Sequence, residues 1–238
     1  MPLISAPQHR IFFAHVPKCG GSSVEDYLIR RFGGPLSTRD VTHFAKKRRR
    51  GLLSSATHPT AGDLTTSLLR DLSCSFAMVR DSIERALSQY RFQTGVSRTS
   101  KLSFSIWRRL MRCVAIDPRI YQNHIRPQSE LVPGGAEFFK LEDGFTDMIA
   151  RLDAVTQTKS LEGVGHPLNR KSVRADVTPS RSDIELLEDY YAEDFKRFGY
   201  PRRDLTDYQG DPYVPLRSSI AHLLAPVVVW KQRRHWIR

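Results

Sequence analysis

The 238-residue sequence predicts a single α/β domain with a central parallel sheet flanked by helices. Three observations carry that reading. A strand, a glycine turn and a helix follow one another between Arg10 and Phe32, and a second strand-turn-helix unit runs from Cys74 to Gln93. The length suits one domain with a well-filled core and is short for two enzymatic domains. Residues 1–200 are therefore expected to form the domain, and residues 201–238 a basic C-terminal tail that is helical and packed on it.

Taken in order, Arg10 to Val16 has the β-branched and aromatic content of a buried strand and stops at Pro17. Ser22 to Phe32 sets Val24, Tyr27, Leu28 and Ile29 at near-helical spacing, with Ser22 or Ser23 as the expected N-cap. Arg39 to Arg50 is polar and strongly basic and reads as an exposed helix or loop. Ser54 to Thr57 reads as a short strand and Asp63 to Leu72 as an amphipathic helix. Cys74 to Val79 is a second buried strand, followed by a helix at Ser82 to Gln93. Further helices are expected at Lys101 to Ala115, Phe145 to Leu152 and Asp183 to Phe198, with a strand at Glu137 to Leu141. Ile220 to Trp230 is apolar, about half the length of a spanning helix, and followed by basic residues from Lys231 to Arg238. A packed terminal helix is the favoured reading there, with peripheral membrane contact or an oligomer contact as the alternatives.

The 37 Lys and Arg against 25 Asp and Glu leave a net charge of +12, which favours anionic partners. Three scattered cysteines, Cys19, Cys74 and Cys113, fit neither a disulfide scaffold nor a cysteine zinc site. They suit a reducing compartment, and with no signal peptide or membrane span in view the expected location is cytoplasmic. No metal is expected.

In a parallel sheet, ligands bind where strand ends feed helix N-termini. Lys18-Cys19-Gly20-Gly21-Ser22-Ser23 lies at such a place. Its glycines permit close backbone approach, its lysine adds charge, and its serines add donors for phosphate or sulfate oxygens. The lysine precedes the glycines, so the order G-x-x-x-x-G-K-[ST] of nucleotide-triphosphate loops is absent. No arginine closes the loop after Cys19, which argues against a cysteine phosphatase. In the second unit, Arg80 stands at a strand end and Ser88 two helical turns on, a guanidinium and a hydroxyl suited to one phosphate.

Together these motifs resemble the sulfotransferases that use 3′-phosphoadenosine-5′-phosphosulfate (PAPS), and among them the carbohydrate-type branch that includes heparan sulfate 2-O-sulfotransferase. His15 to Ser23 looks like that family's 5′-phosphosulfate loop, and Val79 to Arg85 with Ser88 looks like its 3′-phosphate motif. The resemblance spans roughly residues 10–200. Cys19 stands where the branch often has threonine, and Ser82 where it often has proline; neither change removes a charge. The resemblance implies a P-loop-like sulfotransferase fold, PAPS as donor with adenosine 3′,5′-bisphosphate as product, and a hydroxyl or amine acceptor. It implies Lys18, Cys19, Gly20, Gly21, Ser22, Ser23, Arg80 and Ser88 as cofactor contacts; Arg170 and Lys171, which follow a His-Pro-Leu turn, are expected to close over the 3′-phosphate. Lys18 and His58 are the expected catalytic residues. His58 follows a predicted strand, precedes a predicted helix, and is of the residue type that titrates near neutrality.

His15 is expected to pack under the loop, with His43 and His124 as weaker base candidates. Asn123, Arg126 and Gln128 are candidates for orienting a ligand, and Glu142 with Asp143 reads as a helix N-terminal pair. The charge suggests an anionic glycan as acceptor. The main rival is a basic nucleic-acid-binding module resting on Lys46 to Arg50, but no nucleic-acid-binding motif accompanies that run and nucleic acid is not the expected partner. A small-molecule kinase is a second rival, disfavoured by the position of Lys18. The oligomeric state is left open.

Overall fold

The computed structural model describes residues 3–6, 9–33, 58–64, 69–97, 100–111, 120–161 and 177–235. The expected Ser54–Thr57 strand, the basic run at 46–50, His43, Arg170 and Lys171 lie outside them. Within the α/β domain two compact units are distinguishable, Met1–Arg80 with Gln128–Arg170, and Asp81–Pro127 with Lys171–Arg238.

The first unit carries the sheet. Strands β1 (Leu3–Ala6), β2 (His9–Ala14), β3 (Cys74–Val79) and β4 (Glu137–Lys140) lie in the order β1-β2-β3-β4. The β2-β3 and β3-β4 pairs are parallel, with Ala14 opposite Ala77 and Val79 opposite Lys140. The sheet is nevertheless mixed rather than purely parallel, because β1 pairs antiparallel with β2, Leu3 opposite Phe12. Parallel central strands must be covered on both faces, and Ile11, Phe12, Phe13, Ala14, Phe76, Ala77, Met78 and Val79 are all buried. Val24 and Leu28 of helix α1 (Gly21–Phe32) are buried in the same unit. The edge strand β4 is half-exposed, and Arg151 reaches its Glu137 at 2.7 Å.

The helix expected at Asp63 to Leu72 does not form in its described part. Thr60 and Asp63 close a capping box around a single 3-10 turn, Ala61–Asp63, and Leu64 is extended (ψ 130°). Asp71 is left-handed (φ 57°), and the Arg70 carbonyl accepts from Arg10. A local cap and a tertiary contact thus override the apolar periodicity.

The second unit is helical: α2 (Ser82–Arg91), with the π-turn Phe92–Val96 after it, α3 (Phe104–Leu110), α6 (Arg181–Tyr190), α7 (Ala192–Phe198) and α8 (Val214–His235). Helices α4 (Gln128–Leu131) and α5 (Thr146–Thr156) belong to the first unit. Trp107, Ile83, Ile184, Leu187 and Tyr191 form the second unit's core. The expected continuous helix from Asp183 to Phe198 is broken at Tyr191, whose hydroxyl donates to the Ile125 carbonyl at 2.9 Å. Asp183, fully buried, accepts from Ser105, Arg108 and Arg109 (2.6, 2.9 and 3.2 Å) and ties α6 to α3. The tail helix α8 lies against α3 through Leu110, Ala221 and Val229, and Arg109 donates to Ser218 at 3.1 Å.

Candidate functional site

Because β2 and β3 are adjacent and parallel, the loops after Ala14 and Val79 leave the same edge of the sheet. The first of these is the Lys18 loop. Lys18 is left-handed (φ 68°), as is Gly20 (φ 76°), and Cys19 between them is not. Alternation of hand turns successive backbone N–H groups toward one concavity, the geometry that holds anions. For a side-chain-bearing residue such as Lys18 the left-handed conformation costs about 1 kcal/mol or more, a strain of the kind that collects at functional sites.

The expected serine cap is not what starts α1. Gly20 occupies the N-cap with no side-chain hydrogen bond, and its carbonyl accepts from Ser23 and Val24 (3.0 and 3.2 Å). A cap residue lies outside helical geometry, and the left-handed Gly20 takes that place, putting Ser22 and Ser23 inside the first turn. Ser22 is exposed and Ser23 half-buried. With no side chain spent on the cap, the positive end of the helix dipole faces the loop.

Under this turn lies an imidazole. A Cβ placed on Gly21 would meet the His15 ring at 2.2 Å from Nε2, so the first turn of α1 rests on that ring. His15 is held by its Nδ1 donating to Glu25 Oε1 at 2.6 Å and by stacking on Phe13, 5.7 Å between centroids. Burial pushes the Glu25 carboxyl up, but the hydrogen bond and charge of His15 outweigh it and leave it below its ordinary value. The His58 ring packs edge-on to His15 at 5.1 Å, and its Nδ1 faces the His15 carbonyl at 3.4 Å. A carbonyl only accepts, so this contact is made with a proton on Nδ1. His58 is 7 % exposed.

The second loop begins at Arg80, and its main chain is clamped. The Arg80 N–H donates to Gln128 Oε1 at 2.9 Å, and Gln128 Nε2 donates to the Arg80 carbonyl at 2.7 Å. The same Oε1 accepts from the Cys19 thiol at 3.2 Å. Gln128, fully buried on α4, therefore joins the Lys18 loop to the end of β3. Cys19 is also fully buried, and its side chain belongs to the brace. Lys18 feels the consequence. Its pKa is held below the usual lysine value, first by burial and then by the Arg80 guanidinium. Two cations kept close enough to repel each other form a place where an anion is stabilising.

Past Arg80 the chain enters the second unit. Asp81 caps α2 by accepting from Ile83 and Glu84 (3.1 and 3.0 Å) and receives Arg203 at 2.8 Å. Ser82 donates to Asp194 at 2.9 Å, a bond open to serine and closed to proline. Ser88 is half-buried on α2. Arg85 is 1 % exposed and spends its guanidinium on the carbonyls of His124 and Arg126 and on the Tyr191 ring. It props a turn in which Tyr121, Gln122 and Asn123 are all left-handed (φ 54°, 54° and 65°). Asn123 is fully buried and accepts from Arg126 at 2.8 Å, and His124 bonds Gln89 at 3.0 Å. Glu142 lies in the 3-10 turn Leu141–Asp143 just before α5, and both acids are exposed.

The structure thus gathers Lys18, Cys19, Gly20, Gly21, Arg80, His15 and His58 in one unit at one sheet edge. Sequence reasoning missed Glu25 as the partner of His15. It cast Gln128 as a ligand contact where the structure shows a backbone brace. Glu25 had a signal, since it falls one turn after Gly21 on the same helix face; Gln128 had none, because its partners are distant in the chain.

The class that follows from this geometry is an α/β protein with a glycine-turn loop and a cationic strand end at one edge of its sheet. The family model described as "Sulfotransferase family" matches residues 1–201, and the chain belongs to that family. It is a transferase of sulfuryl groups in that general sense, and residues 202–238 lie beyond the match. No curated protein and no solved structure shows a significant match to the chain.

Proposed function

We propose that this protein transfers the sulfuryl group of PAPS to a hydroxyl of a carbohydrate, in the manner of the carbohydrate-type branch that its two motifs resemble. The observation that carries the reading is the pairing of a left-handed Lys18 with Arg80, the Cys19 side chain beside the one and the main chain of the other both bonded to one buried glutamine. Such a site fits a donor with an anion at each end of a short span. The Lys18 loop with the Ser22 and Ser23 hydroxyls would hold the 5′ side, and Arg80 the 3′-phosphate. PAPS supplies an activated sulfuryl group.

The chain's own residues supply the rest. His58, with its proton on Nδ1, takes the acceptor's hydroxyl proton at Nε2 as the new oxygen–sulfur bond forms. Lys18 meets the negative charge left on the departing phosphate oxygen as the old sulfur–oxygen bond breaks. The net positive charge favours an anionic glycan over a neutral one.

Calorimetric titration with adenosine 3′,5′-bisphosphate tests the donor site. Saturable binding is expected, weakened at least about tenfold by Lys18→Ala and by Arg80→Ala. No binding by the wild type would remove the PAPS reading. A turnover assay with acidic and neutral glycans then tests the chemistry: His58→Ala is expected to bind the bisphosphate normally and to lose about a hundredfold or more in kcat. Full turnover in that variant would remove His58 as the base.

A further inference from the structure

The tail helix α8 presents a second apolar face that the packing on α3 does not use. Five of the nine exposed large hydrophobic side chains among the described residues fall within Tyr213 to Trp230: Tyr213, Leu216, Leu223, Val227 and Trp230. Leu223 is 77 % exposed. With half-buried Ile220 between them, Leu216, Leu223, Val227 and Trp230 follow one another at alternating steps of four and three, a stripe about 80° wide on the helix, and Tyr213 stands in the turn just before it. Ala221 and Val229, the buried positions against α3, lie on the opposite side of the helix.

The charge on this segment has one sign. From Tyr213 to Arg238 there is no Asp or Glu, against Arg217, Lys231, Arg233, Arg234 and Arg238. Arg217 is paired with Asp211 just before the helix, at 3.1 Å. The remaining cations cluster after Trp230, and aromatic residues stand at both ends of the stripe, Tyr213 and Trp230. We infer that this face of α8 lies in the headgroup region of an anionic lipid surface, its apolar stripe inserted and its basic end paired with lipid phosphates. A second copy of the helix suits the stripe less well. Leu216 to Trp230 spans about two heptads where a sustained coiled coil needs three or four, and neither partner would bring an acid to meet the other's cations. Among the described residues no helix is long and apolar enough to cross a membrane, so the contact is interfacial. This inference stands on α8 alone and does not depend on the donor or the acceptor.

The test is co-sedimentation of the full chain with vesicles of phosphatidylcholine alone, and of phosphatidylcholine mixed with phosphatidylglycerol. Binding is expected on the mixed vesicles and at least about tenfold less on the neutral ones, falling as salt is raised. Leu223→Glu with Val227→Glu is expected to abolish it at an unchanged melting temperature, since both side chains are exposed. Lys231→Glu serves as a second variant that leaves the stripe intact and weakens only the anionic component. Absence of binding to the mixed vesicles overturns the inference. So does binding that the stripe variant leaves untouched, or a dimer in ultracentrifugation that Leu223→Glu dissolves, which would assign the face to a second copy of the chain.

Discussion

Replacing Gln128 with leucine removes the brace between the Lys18 loop and the end of β3 while keeping volume and apolar contact. Two amide hydrogen bonds to the Arg80 main chain, at 2.9 and 2.7 Å, and the weaker one from the Cys19 thiol at 3.2 Å are lost together. Removing one partner of a buried hydrogen bond costs about 1–3 kcal/mol, and the Arg80 end is only partly buried, so roughly 2–4 kcal/mol is expected in all. At roughly 2–4 °C per kcal/mol for a chain of this size, the melting temperature should fall by roughly 4–16 °C. The more informative readout is binding. If the brace sets where Arg80 sits, affinity for adenosine 3′,5′-bisphosphate should fall roughly tenfold in the folded protein below its melting temperature, about the worth of one charge-assisted hydrogen bond. Gln128→Glu keeps both acceptor positions but turns a carboxylate toward the Arg80 carbonyl, and should lose as much affinity as the leucine variant. Destabilisation with unchanged affinity would reduce Gln128 to a core residue; no change in either would refute the clamp.

Gly21→Ala should be among the most damaging single-methyl additions in the chain, because the new Cβ would fall 2.2 Å from a His15 ring fixed by Glu25 and Phe13. Loss of bisphosphate binding together with a lowered melting temperature is expected, and near-normal binding would show that the ring can move aside. Lys18 has a folded-state pKa below the ordinary value, so free protein loses that proton first as pH rises, and a bound anion restores it. Bisphosphate affinity should therefore begin to fall below the ordinary lysine value of 10.5, with proton uptake on binding measured in buffers of different ionisation enthalpy, and Lys18→Arg should be flat over the same range. Asp183→Asn strands two buried arginines and should cost about 3–5 kcal/mol at neutral pH, read by chemical denaturation. Burial pushes the Asp183 carboxyl up, but the Ser105 hydroxyl, the Arg108 charge and the Ser180 amide hold it below its ordinary value. Its contribution is thus complete above the unfolded pKa of about 4 and is lost as pH falls through the lower folded value, so wild type and variant should converge only in acid.

The central strands were legible because parallel strands buried on both faces read as unbroken apolar runs, and Cys74 to Val79 needs no tertiary information to be seen. Strand β1 was not, since Leu3 to Ala6 is four residues between Pro2 and Pro7 and becomes a strand only by pairing with β2. The break at Tyr191 was hidden for the same reason: apolar spacing continues through it, and the Tyr191 hydroxyl bond to Ile125 is made across 66 positions. At the candidate site, residue type and order single out the Lys18 loop and Arg80, because a loop suited to an anion needs glycine, hydroxyl and cation close together in the chain. What holds those groups in place was not announced. Gln128 acts on residues 48 and 109 positions away, and a polar residue in a polar stretch has no local pattern that distinguishes a brace from a ligand contact.

Two of the places where the backbone enters the left-handed region without glycine, Lys18 and the run Tyr121 to Asn123, lie beside bonds from buried polar side chains. Gln128 accepts from Cys19, next to the first, and Arg85 donates to the carbonyls of His124 and Arg126 that follow the second. Three consecutive left-handed residues cost roughly 3 kcal/mol or more, and a fold keeps such strain only where surrounding bonds over-determine it. Cys19 and Ser82, where the resembling branch often has threonine and proline, each make a buried hydrogen bond, to Gln128 and to Asp194. The departures from the motif therefore leave its cations untouched, and each makes a buried bond within its own unit. A variant carrying threonine at position 19 keeps a hydroxyl donor within reach of Gln128 but adds a methyl to a fully buried site. It should retain bisphosphate affinity within about threefold at a cost of about 1–2 kcal/mol in stability. Cys19→Ala, which removes the donor and leaves the space, should instead lower affinity by loosening the loop from the Arg80 clamp. Equal affinity in both variants would mean that the Cys19–Gln128 bond does not transmit position between the loops, and that the Arg80 main chain is held by its own two bonds alone.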